Sequence, residues 1–161
     1  MDRTAPFVLA LRTLEEGENH LELAGTASEL GISGNEAPFV GPVVARVVVY
    51  RTGQKVEVQG TLTAALELTC DRCLEPVHWP LRVPVRVYAE RPESRDRRTR
   101  EELREEDPGI VYHDGQSVDL TDELRQDLLV EVPWHVLCRD DCLGLCPHCG
   151  ANRNAGLCSC P

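Results

Sequence analysis

The chain has 161 residues, 42% of them hydrophobic and only 4% aromatic, and a formal net charge of −10. These values suit one domain with at most a small appended module, and they argue against global disorder and against a protein held to nucleic acid by bulk charge. No apolar run approaches the roughly 20 residues that span a bilayer, and "MDRTAPFVLALRTLEEGENH" shows neither a basic n-region nor a cleavage site, so a cytoplasmic protein without a leader is expected.

In chain order, "PFVLALRTL" (Pro6 to Leu14) reads as a first strand ended by the "EEGEN" turn, "HLELAG" as a short second strand, and "SELG" as a helical turn stopped by Gly31. "PVVARVVVYR" (Pro42 to Arg51), a Thr52-Gly53 turn and "QKVEVQGTLTAALELTC" (Gln54 to Cys70) form a β-hairpin rich in β-branched residues. "VHWPLRVPVRVYAE" (Val77 to Glu90) alternates, with Val83, Val85 and Val87 on one face and Arg82, Pro84, Arg86 and Tyr88 on the other. It is a half-buried strand that Pro84 assigns to a sheet edge. Residues 91–109 are a charged, flexible insertion, read either as a solvated loop with a helical turn or as an arginine-bearing arm that touches phosphate. "VDLTDELRQDLLVEVP" (Val118 to Pro133) is the one good helix, capped by Asp119 or Thr121 and carrying Leu120, Leu124 and Leu128 at four-residue spacing. Trp134 is expected in the core or as a lid, and His135 as a solvated loop residue. The fold class is α+β: a mostly antiparallel β-sheet or barrel-like domain over 1–137 with one main helix, and a C-terminal cysteine-rich zinc knuckle over 138–161 packed on it.

Chemistry concentrates in the eight cysteines. In a cytosolic setting, close cysteine pairs bind metal more often than they form structural disulfides. "CPHCG" has the Cys-x-x-Cys-Gly form that places two sulfurs on one side of a tetrahedron, and in an extended "CSC" both sulfurs face one way. Cys146, Cys149, Cys158 and Cys160 therefore make one local four-sulfur site. "CDRC", on the turn between two long strands, and "CRDDC" remain, and Cys70, Cys73, Cys138 and Cys142 supply a second site across the fold. The other partition joins Cys138 and Cys142 to Cys146 and Cys149, and Cys70 and Cys73 to Cys158 and Cys160; a single zinc with spare thiols is a third arrangement. Thiol-redox chemistry would place Cys-x-x-Cys at a helix N-terminus, whereas "CDRC" enters a strand. No phosphate-cradling loop, nucleophile elbow or His-Glu-x-x-His is present, and zinc saturated by four thiolates lacks the open position catalysis requires.

The stretches "LELTCDRCLEPV", "DLTDELRQDLLVEVP" and "CRDDCLGLCPHCGANRNAGLCSC" resemble the YceD family from about Val43 to Cys160, with Arg153 where leucine is usual. The resemblance implies a non-enzymatic role in the maturation or accumulation of large-subunit ribosomal RNA. Two structural four-thiolate zinc sites would lower the formal charge to about −14. RNA contact must then be local, with Arg72, Arg82 and Arg86 near the first knuckle as candidates or else as satisfied residues on the solvent face of an edge strand. The expected partners are the large-subunit ribosomal RNA precursor, a basic ribosomal protein, or both, with no membrane and no small-molecule substrate. The competing readings are a zinc-stapled interaction module that binds a basic partner without touching RNA, and a thiol redox protein.

Overall fold

The structure, a computed structural model, describes residues 6–92, 109–156, 158 and 160. The charged insertion expected over 91–109 therefore lies, for 93–108, outside the described residues. The strands are β1 (Val8–Ala10), β2 (Gly17–Gly25), β3 (Phe39–Thr52), β4 (Lys55–Thr69), β5 (Pro76–Glu90), β6 (Ile110–Tyr112) and β7 (Ser117–Asp119). One α-helix, α1 (Thr121–Val130), and three 3-10 turns (Leu11–Thr13, Ala27–Leu30 and Arg153–Ala155) complete the described elements.

Five strands form a sheet in the order β2-β3-β4-β5-β6, antiparallel except for the parallel β5–β6 pair; β1 and β7 form a separate antiparallel ribbon. The sheet stays open, so of the two forms expected from sequence the sheet holds and the barrel does not. Period-two alternation gives β3 to β5 one apolar face: Val43, Ala45, Val47 and Val49, then Val56, Val58, Leu62 and Leu66, then Leu81, Val83, Val85 and Val87. Phe7, Leu9, Leu30, Val118, Leu120, Leu124 and Leu128 cover that face, and the leucine stripe of α1 packs on β5 and on the turn Ala27–Leu30. Gly60 sits where the β3 backbone leaves no room for a side chain: a Cβ there would lie 2.1 Å from the Arg46 carbonyl oxygen. Pro84 is tolerated because, among the described residues, the outer edge of β5 is paired only at Tyr88–Glu90.

Several expectations shift by a few residues. The first strand stops at Ala10 and gives way to a 3-10 turn, because an uninterrupted strand would turn Leu14 away from the face that Leu9 and Leu11 share. The hairpin loop is Gly53-Gln54, with Thr52 paired to Lys55. Glycine must come first, since the leading loop position takes φ +60°. β2 begins three residues earlier than read, at Gly17, zipped along β3. Neither Asp119 nor Thr121 is the N-cap: Leu120 holds that position without a side-chain bond, while Asp119, which belongs to β7 with Val118, accepts from the Thr121 N–H at 2.9 Å from one residue further out. Trp134 is not a core residue: it is 93% exposed, and Val136 takes the buried position in that segment.

Candidate metal centres

Each Cys-x-x-Cys turn has the same backbone construction. In the first, the Cys70 N–H donates to the Glu75 carbonyl and the Leu74 N–H donates back to the Cys70 carbonyl, both at 2.9 Å. In the second, the Cys146 N–H donates to Ala151 at 2.8 Å and the Gly150 N–H to Cys146 at 2.9 Å. The fifth residue of each turn is left-handed, Leu74 at φ +62° and Gly150 at φ +74°. This winding aims backbone N–H groups at the leading sulfur. Burial works to raise the Cys70 thiol, but the N–H groups of Cys73, Arg72 and Cys138 outweigh it and hold it at about 6. The N–H groups of Cys149 and His148 likewise bring Cys146 to about 6.

The segment after α1 is strapped across the first turn. The Asp71 N–H donates to the Val136 carbonyl, and the Asp71 carboxylate accepts from the Val136 N–H, both at 2.8 Å. The Leu145 N–H donates to the Arg72 carbonyl, and the Arg72 guanidinium to the Cys142 carbonyl, both at 3.0 Å. These bonds deliver Cys138 and Cys142 to Cys70 and Cys73. The Cys70 and Cys142 sulfurs lie 3.8 Å apart, those of Cys73 and Cys138 3.5 Å. All four fall within 4.8 Å of one another, as do those of Cys146, Cys149, Cys158 and Cys160, where Cys149 and Cys158 are 3.7 Å apart. A tetrahedral ion with sulfurs at 2.3 Å has an edge of about 3.8 Å. The donor set thus fits a soft tetrahedral cation, and the structure gathers the eight sulfurs in the first of the partitions weighed from sequence.

Charge balance points the same way. Contact with Cys73, together with burial, pushes the Cys138 thiol up to about 12. The Cys160 N–H pulls Cys158 down, yet Cys146 and Cys149 carry it up to about 11. The Glu75 N–H lowers Cys73, but burial and Cys70 raise it further, so its thiol ends above its ordinary value. A first thiolate makes each later one unfavourable, and a bound cation would offset that repulsion.

Asn154 and Asn152 are contributors that the sequence reading missed. Burial raises Cys142, but the Asn154 side-chain amide, 3.4 Å from its sulfur, and the Gly144 N–H bring it below its ordinary value. The Asn154 Oδ1 also accepts from the Leu143 N–H and from Arg139, each at 2.8 Å, and Asn152 donates to Glu75 at 3.1 Å. The terminal module therefore braces the first centre. The signal was in "GANRN": two amides, two residues apart, between cysteine pairs.

The three arginines do not form one patch. Arg72 turns inward to Cys142. Arg82 and Arg86 stand about 20 and about 33 Å along β5 from Pro76 at ordinary strand rise, not beside the knuckle. Arg86 lies 3.8 Å from Glu57 and over the Tyr88 ring. His135 stays outside both sulfur groups, near the Asp71 carboxylate. Among the described residues, no helix is long and apolar enough to cross a membrane.

Among the described residues, an open, mostly antiparallel sheet with one helix and two four-cysteine groups able to hold metal ions defines a β-rich protein of the cysteine-cluster type. The chain belongs to the YceD family: residues 58–161 match the family model described as "Large ribosomal RNA subunit accumulation protein YceD". It is 35% identical over 102 residues to an uncharacterized protein of Mycobacterium tuberculosis, covering 63% of this chain and 47% of the relative. It is also 33% identical over 113 residues to an uncharacterized protein of Mycobacterium leprae, covering 69% and 49%. The chain spans about half the length of these curated relatives. No solved structure matches it.

Proposed function

We propose that this chain is a non-enzymatic, cytoplasmic factor that supports the accumulation of large-subunit ribosomal RNA and carries two structural zinc ions. The first zinc is held by Cys70, Cys73, Cys138 and Cys142, the second by Cys146, Cys149, Cys158 and Cys160. Residues 1–137 act as the β-rich body and 138–161 as the knuckle packed on it. The family match carries the functional reading, because the matched stretch contains all eight cysteines. The juxtaposed sulfurs support the metal reading, and four soft ligands at tetrahedral spacing favour zinc or iron over hard cations. Four thiolates saturate such an ion, so it would fasten the fold and leave no position for a substrate.

The chain's own residues prepare the sites. The turn amides favour the leading thiolates, Asn154 holds Cys142, and the Asp71–Val136 pair fixes the approach of the strap. A thiol-redox role is disfavoured at the first centre, where Cys70, Cys73 and Cys142 are buried from exchange partners.

Deleting the gene and measuring the ratio of large- to small-subunit ribosomal RNA tests the function. The ratio is expected to fall, and to recover with the wild-type chain but not with Cys73→Ser; an unchanged ratio refutes the reading. Elemental analysis of the purified chain should give two zinc per polypeptide. The second reading, an interaction module with no RNA contact, is favoured by the charge of −10 and by the engagement of Arg72 and Arg86 within the fold.

A further inference from the structure

We propose that the end of the molecule built around the first centre is a docking surface for a basic polypeptide segment bearing apolar side chains, seated on Leu74, Trp134 and Leu143. The inference deepens the ribosomal reading by giving the chemical class of the partner.

Leu74 is the starting observation. It is the one non-glycine residue with positive φ among the described residues, a conformation that disfavours any L side chain. The matching position of the other knuckle is glycine. The leucine side chain gains little packing in return, since it is 62% exposed. A strained backbone that holds an apolar side chain in solvent suggests that the side chain is used.

Two further exposed apolar residues sit on the segments locked to the same turn. Trp134 is 93% exposed and lies two residues before Val136, which is bonded to Asp71; Leu143 is 55% exposed and follows Cys142. The loop bearing Leu143 is pressed against the turn, for a Cβ on Gly144 would stand 3.0 Å from the Arg72 carbonyl oxygen. The backbone that carries these anchors is held by hydrogen bonds to the turn and to Asn154, so covering them orders side chains and not the chain. Tryptophan is among the residue types that most often dominate an interface.

Charge selects the occupant. Asp71, Glu75, Asp140 and Asp141 outnumber the two arginines on the same segments, Arg72 and Arg139, although Asp71 accepts from the Val136 N–H and lies 3.5 Å from His135, and Glu75 accepts from Asn152. Arg72 is turned to the Cys142 carbonyl, and Arg139 is held by Asn154 and lies 3.4 Å from Asp141. A four-thiolate zinc adds two negative charges beneath them. A polyanion such as RNA is repelled from this surface, and so is a second copy of a chain of charge −10. A lysine- or arginine-rich peptide with a few apolar residues fits both the anchors and the rim.

The test is site-specific photocrosslinking of the full-length, zinc-loaded chain in its own cells. The photoreactive amino acid p-benzoylphenylalanine is placed at position 134, at 74, or at the control position 22 on the far sheet edge. Positions 134 and 74 should give adducts with one polypeptide through a segment rich in lysine and arginine, and position 22 should not. Adducts with RNA only, with a second copy only, equally at position 22, or no adduct at all, each overturn the proposal. Leu74→Gly in the position-134 background separates docking from folding, because glycine relieves the backbone and should melt no lower than the parent. It should nonetheless reduce the adduct by about fivefold or more, and an undiminished adduct refutes the role of Leu74. An RNA-only adduct would overturn this surface while leaving the ribosomal role intact, whereas an unchanged ribosomal RNA ratio on gene deletion removes the role itself.

Discussion

Replacing Cys73 with serine removes one sulfur from the centre that joins the β4–β5 turn to the segment after α1, across the 65-residue separation between Cys73 and Cys138. In the chain-entropy treatment a cross-link over that distance destabilises the unfolded state by about 4.3 kcal/mol, against about 2.6 kcal/mol for the nine-residue separation of Cys149 and Cys158. The first centre lies in a small buried cluster with Val77, Leu137 and Leu145, whereas neither buried cluster includes the second, so loss of the second frays a local unit before the sheet is affected. At about 2–4 °C per kcal/mol for a chain of this size, Cys73→Ser should lower the Tm of the zinc-loaded protein by about 9–17 °C, and Cys149→Ser by at most about 5–10 °C, less to the extent that the tail frays on its own. Circular dichroism melts, read beside zinc content, check this: each variant should retain one zinc per chain, and Cys73→Ser combined with Cys142→Ser should lose no more than Cys73→Ser alone. Equal shifts in Tm, or a double variant that loses both ions, would refute the assignment. Full chelation should destabilise the tail before the sheet, so that on heating the tail melts first while most of the β-sheet signal remains, because the sheet has its own apolar core.

Asn154→Ala removes the amide donor to Cys142 and the acceptor for the Leu143 N–H, and should weaken zinc at the first centre about 10- to 100-fold in a chelator competition while leaving the second unchanged. Gly60→Ala forces β3 and β4 apart against the Arg46 carbonyl and should cost about 3 kcal/mol or more in a urea melt, with zinc stoichiometry preserved. In the zinc-free, reduced chain, the lowered Cys70 and Cys146 make the folded state bind fewer protons than the unfolded one between about 6 and the ordinary thiol value of 9.0. Stability should therefore rise with pH through that window. The raised Cys138 and Cys158 reverse the sign above it, so stability should fall between 9.0 and about 11 to 12, and a Tm that declines steadily from pH 6 to 9 would contradict the assignment.

What could be read in advance followed the range of the interaction. The β3–β4 hairpin, the alternation of Val83, Val85 and Val87, the glycine-stopped turn at Gly31 and the leucine stripe of α1 are set by local propensity and periodicity, and each is where its residues put it. The terminal knuckle is also local, since its Cys146–Cys149 turn encodes its own winding through Gly150. The exact hairpin loop was missed by one residue, because only the φ demanded at its first position decides which residue leads.

The sequence alone determined the class of protein: eight cysteines in pairs, spaced for tetrahedral sulfur, on a β-rich acidic chain. Tertiary structure decided the rest, because it depends on groups far apart in the chain. It brought "CRDDC" to "CDRC" through the Asp71–Val136 and Arg72–Cys142 bonds, which no local spacing encodes. It recruited Asn154 to the sulfur of Cys142, turned Arg72 inward, and spread Arg82 and Arg86 along a strand instead of beside the knuckle. It also left Trp134 in solvent, since burial is a property of the packed fold and an aromatic residue carries no record of which side of it will be covered.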